Sequence, residues 1–187
     1  MIITSLLQET LNRHGARALE LLQTYWFELT SHGDIPLWSD VDPRAIQDAL
    51  EHAFLAERFG CRDARLRIAG GGVQRILGQH VLGGPFSLAL DPGSRPRLYS
   101  ALETCGHHRA PCEIDLRSAE SGAPHTAKAR LMIYPLRDTD GHVSHFLGAV
   151  AEAEESRARG TQYRIADVHH AAGQVKAPTL RLVVDNT

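Results

Sequence analysis

Two strand patterns precede residues 70–111 and three follow them, and this split limits the fold more than any other feature of the sequence. Phe54 to Phe59 reads as a strand, and Gly60 to Asp63 as a turn. Ala64-Arg65-Leu66-Arg67-Ile68-Ala69 then alternates small or charged residues with apolar ones, as a half-buried strand does. The two form a hairpin. Gly70-Gly71-Gly72 ends it and a short helical stretch runs from Val73 to Leu77. Gly78 and Gly83-Gly84-Pro85 mark loops. Leu98, Ala101, Leu102 and Cys105 line one face of a helix that starts on Ser94 and ends at Gly106. The later strands are Cys112 to Ser118, Lys128 to Arg137 and Val143 to Val150, the last two joined by the turn Asp138-Thr139-Asp140-Gly141. Strands gathered around one helical insert predict an antiparallel five-stranded sheet with helices on one face, an α+β layer.

Before the sheet, Leu7, Leu11, Ala18, Leu22, Tyr25 and Leu29 fall on one face of an amphipathic helix spanning about 5–31. Gly15 weakens its middle, and His32-Gly33 stops it. The spacing of Ala18, Leu22, Tyr25 and Leu29 is that of a coiled-coil seam and predicts a homodimer through this helix. Asp42-Pro43 opens a short helix to about Glu51. After Glu152 the chain turns polar, and only Thr179 to Val184 regains a strand pattern. The expected divisions are an N-terminal helix over 1–33, a domain over 34–151 and a polar tail over 152–187.

Charge removes several function classes. Twenty basic and 22 acidic residues leave a net charge of -2, which offers no field for nucleic acid or an anionic membrane. The longest apolar runs are too short to span a bilayer. The N-terminus carries no basic stretch ahead of Glu9 and does not read as a signal peptide. Cys61, Cys105 and Cys112 are too few for a disulfide framework, so a cytoplasmic location is expected.

Local residues add a resemblance. Tyr25-Trp26, Ile35-Pro36, Asp42-Pro43, Phe54-Leu55, Leu66-Arg67-Ile68-Ala69-Gly70, Leu77-Gly78, Tyr134-Pro135-Leu136 and Leu147-Gly148 occur in the order and spacing of a bacterial PAS subgroup, the fifth PAS family (PAS_5). The resemblance covers about 25–150. It implies a sensor or protein-interaction module of bacterial signalling, without catalysis, whose partner is a separate signalling protein or a small molecule. It implies no particular cofactor. It also implies a mostly apolar site between sheet and helices, formed by Ile68, Val73, Ile76, Leu77, Leu82, Phe86, Leu98, Leu102, Ile114, Ile133 and Leu147. Flavin-binding light sensors of the fold resemble one another around an Asn-Cys-Arg-Phe run in the middle helices. Here the Cys-Arg pair is Cys61-Arg62, in a hairpin turn, so the resemblance does not extend to flavin photochemistry.

Other chemistry competes with this reading at a few positions. Cys105-Gly106-His107-His108-Arg109-Ala110-Pro111-Cys112 holds metal-ligand types, but Cys-x-His-His-x3-Cys is no standard zinc spacing. The plainer reading puts both cysteines in the core and the histidines in solvent at a helix end. His80 is the residue best placed to serve a haem sensor and otherwise reads as a surface histidine. Glu57, between Leu55 and Phe59, would be the base of a small cone-type α+β enzyme if it entered an apolar cavity. Paired with Arg65 or Arg67, it belongs to a binding module instead.

Overall fold

The computed structural model describes residues 11–30, 33–60, 62–119, 128–153 and 162–171. Among the described residues six antiparallel strands form one sheet in the order β2-β1-β5-β4-β3-β6. They are β1 (Ala53–Phe59), β2 (Asp63–Ala69), β3 (Cys112–Ser118), β4 (Lys128–Arg137), β5 (Val143–Glu152) and β6 (Tyr163–His170). Among the described residues three α-helices accompany them: α1 (Arg13–Leu29), α2 (Gly71–Leu77) and α3 (Arg95–His108). The α+β reading holds, with a sixth strand where five were expected.

That strand lies in the segment read as polar tail. Tyr163 and Ile165 point into the core, and Ile165 pairs with Leu116. The next pair is Asp115 with Asp167, so Ala166 is extra and the side chains change phase. This β-bulge breaks the alternation that would have marked a strand in the sequence. The Thr179 to Val184 run lies outside the described residues.

The helices split between the two faces. On the inner face α2 and α3 cover β1–β6, with Leu66, Val73, Ile76, Leu98, Ile114 and Ile133 fully enclosed. On the outer face α1 lies over β4 and β5, burying Ala18, Leu22, Tyr25 and Trp26 against Tyr134, Leu136, Leu147, Ala149 and Ala151. The stripe read as a coiled-coil seam is therefore spent on the chain's own sheet. The helix begins at Arg13, where Asn12 Oδ1 accepts the Gly15 amide at 2.7 Å. Gly15 is a contact residue rather than a flaw, because a Cβ there would stand 2.7 Å from the Ala151 Cβ. Its small size lets α1 lie close on β5. The expected helix after Asp42-Pro43 is instead a series of turns ending in a single 3-10 turn, Gln47–Ala49. Asp42 spends its carboxylate on the Arg44 amide two residues on, a turn contact rather than a helix cap.

The triple glycine has a packing explanation. The amides of Gly72 and Val73 both donate to the Glu51 carbonyl. A Cβ on Gly70 would sit 2.0 Å from the Leu50 carbonyl oxygen, and one on Gly72 would sit 2.7 Å from that of Glu51. Side chains at either position would push α2 off the chain entering β1.

Candidate functional site

Eight of the eleven residues expected between sheet and helices do converge there. Val73, Ile76, Leu77, Phe86, Leu98, Leu102, Ile114 and Ile133 form one buried cluster with Phe54, whose ring meets Phe86 edge-on at 5.4 Å. The other three are elsewhere, each for a definable reason. Leu147 faces α1 on the outer side; β5 is buried on both faces, so its apolar run gives no alternation to read. Leu82 bridges the edge of β2 with its backbone and turns its side chain out, while Val81 takes the buried place. Ile68 is flipped by a β-bulge: Ala56 pairs with Leu66 but Leu55 with Ile68, leaving Arg67 extra and Ile68 on the outer face.

Cys105 and Cys112 belong to the same inner core. Burial raises both thiols, that of Cys112 to about 12, with Cys112 adding to the effect on Cys105 and Glu113 to that on Cys112. His107 and His108 are exposed at the end of α3, so the Cys-x-His-His-x3-Cys residues do not face one centre. Cys61 lies outside the described residues. Since the thiolate is the reactive form, Cys105 and Cys112 should resist iodoacetamide in the native protein at pH 8 and react on unfolding. Peptide mapping of the alkylated protein checks this; rapid native labelling of either would contradict their burial.

His80 stands exposed, its Nε2 3.4 Å from the Leu88 carbonyl oxygen, away from the enclosed cluster. Glu57 faces outward and pairs with Arg67, so it does not enter an apolar cavity. Asp138, Asp140 and His142 approach one another in the β4–β5 turn, where the Asp138 carboxylate accepts the amides of Asp140 and His142.

The outer face holds what the sequence reading did not find. Leu147, Leu55 and Ile68 lie in register across β5, β1 and β2. Exposure climbs along that row from 2% at Leu147, under α1, to 61% at Ile68. A second row joins His145, Glu57 and Arg65. Trp38 stacks on His145 with centroids 4.8 Å apart, and the Arg65 guanidinium lies 4.1 Å from the centre of the Phe59 ring. Desolvation under this cover lowers the His145 pKa, partly offset by Glu57. Trp38, Phe59 and Ile68 are all substantially exposed, so this half of the sheet presents apolar surface rimmed by Arg65, Arg67 and Glu57. Such a surface is a common mark of an interaction site.

No curated protein matches the chain. Among solved structures it is similar to a light-oxygen-voltage domain studied with a flavin analogue, at 20% identity over 60% of this chain and 84% of that one, TM-score 0.45. A sensory box sensor histidine kinase from Vibrio cholerae is similar at 14% identity over 56% and 84%, TM-score 0.38. An RNA-binding light-oxygen-voltage receptor is similar at 18% identity over 62% of this chain and 35% of that one, TM-score 0.41. The family assignment rests on a different comparison: the PAS_5 model of the PAS domain matches residues 15–151, most of the chain, and the chain belongs to that family.

Proposed function

We propose that this PAS domain is a non-catalytic sensor and protein-interaction module of bacterial signalling, working in the cytoplasm and passing its output through the uncovered half of its outer sheet face. The observation that carries the reading is Ile68. A one-residue bulge turns it out of the core onto a face that α1 leaves bare, beside Leu55 and in line with Leu147. No helix among the described residues is long and apolar enough to cross a membrane. The homodimer expected from the sequence belongs to the same reading, with one change of surface. The α1 stripe is occupied, so a second copy would meet the β1–β2 half of the sheet and the part of α1 beside it. A small molecule between sheet and helices would be held by the eight converging residues, displacing side-chain packing to enter. Native mass spectrometry of freshly purified protein tests that part.

Ile68→Glu tests the surface. The side chain is mostly exposed, so the variant should fold with nearly unchanged stability. Sedimentation velocity of the full chain at micromolar concentration should show a dimer that Ile68→Glu shifts to monomer. A wild-type monomer rejects the homotypic contact, and a dimer unaffected by Ile68→Glu moves it away from this face.

A further inference from the structure

A second cleft lies where β1 begins and β5 ends, apart from both surfaces discussed above. Its volume is ≈ 580 Å³, within the roughly 300–1,000 Å³ of small-molecule sites. The first turns of α1, the chain entering β1, and α2 form its walls. Every residue that lines it is of a polar or charged type, their aliphatic stems included: Asn12, His14, Arg17, Asp48, Glu51, His52 and Arg75.

His52 is the built element of this cleft. The residue is only 5% exposed, and its Nδ1 lies 3.1 Å from the Val150 carbonyl oxygen. A carbonyl only accepts, so Nδ1 carries the proton, and in the neutral ring Nε2 is left as an acceptor. No hydrogen bond to Nε2 is made among the described residues, and His52 is one of the residues that line the cleft. The ring lies against Gly72: a Cβ there would stand 3.2 Å from Nδ1.

Both signs of charge line the cleft, two guanidinium groups and two carboxylates, with Glu152 a further carboxylate beside Arg75. Arg17 and Arg75 supply donors; Asp48, Glu51 and Nε2 supply acceptors. Arg75 is held near Glu51 at 3.4 Å and near Glu152 at 3.9 Å. A simple anion would meet two carboxylates here, and a simple cation two guanidinium groups. A molecule carrying both charges meets neither penalty. We infer that the cleft binds a small zwitterion of the α-amino-acid class, its carboxylate on Arg17 and Arg75 and its ammonium between Glu51, Asp48 and His52 Nε2. Such a ligand ties the start of α1, on the outer face, to α2, on the inner face.

The test uses the full chain and each standard L-amino acid in turn. Any amino acid that binds is compared with the amine lacking its carboxylate and the acid lacking its amino group. Binding to the folded state raises the unfolding midpoint by mass action. At least one amino acid should raise it by several degrees at saturation, while its amine and acid counterparts do not. The same amino acid should shift the ¹⁵N resonance of His52 Nε2. Arg17→Ala with Arg75→Ala should abolish both responses, while the ligand-free midpoint moves by no more than about 3 °C, since both side chains are exposed. Failure of every amino acid overturns the inference. So does equal binding of the amine or acid counterpart, or a response that survives in the double variant. Circular dichroism of that variant separates loss of binding from loss of fold.

Discussion

Trp26→Ala is expected to destabilise the domain by about 3–5 kcal/mol, lowering the unfolding midpoint by roughly 10 °C or more. Trp26 is completely buried between α1 and the sheet. Its ring lies 5.6 Å from that of Tyr134 and meets Phe27 edge-on at 5.4 Å. Its Nε1 also donates to the Pro135 carbonyl at 3.0 Å. Truncation removes the largest side chain of the outer core and the indole's hydrogen bond to that carbonyl. Trp26→Phe separates the two contributions: it keeps most of the ring's packing and loses the hydrogen bond, so it should cost about 1–3 kcal/mol. Urea unfolding of the three proteins measures both. An alanine variant within 1 kcal/mol of wild type would show that α1 is not docked as described.

Gly148→Ala should cost about 3 kcal/mol, a large effect for one methyl group. Gly148 pairs with Phe54 on β1 and Ile133 on β4, in the middle of the sheet. A Cβ there would stand 2.2 Å from the Phe54 ring and 2.6 Å from the Met132 carbonyl oxygen. The ring can shift only into a packed cluster, and the carbonyl is held by the sheet. Shortening Phe54 should relieve the first clash, so Phe54→Leu and Gly148→Ala should be non-additive, with the double variant less unstable than the sum. Strict additivity would mean that the ring does not lie over this glycine.

Both predictions depend on residues whose types were visible in the sequence and whose partners were not. Tyr25-Trp26 and Leu147-Gly148 belong to the family resemblance, but nothing local says that Trp26 reaches a carbonyl more than a hundred positions away. Gly15 reads as a helix weakness and is a contact with β5. Gly70-Gly71-Gly72 reads as a strand exit, and its necessity appears only against the carbonyls of Leu50 and Glu51. The cleft around His52 was not foreseen, because its walls come from residues 12–17, 48–52 and 75 and no spacing along the chain links them.

The sequence by itself determined the order of the three α-helices and the first five strands, the antiparallel α+β class, the family, and eight of the residues enclosed between sheet and helices. The order and the class follow from local periodicity and from turn residues, which act over a few positions of chain; the family and the eight residues follow from the resemblance of short motifs to the fifth PAS family. Face and register were decided by the tertiary structure. A side chain's face depends on the count of residues along a strand, and one bulge inverts it. Bulges at Arg67 and Ala166 sent Ile68 to the outer surface and hid β6 from the alternation test. The all-apolar stretch of β5 could not say which side Leu147 takes, because both sides are buried. Only α1, docked on the outer face through Gly15 and Trp26, made that side a second core and left Ile68 uncovered beside it.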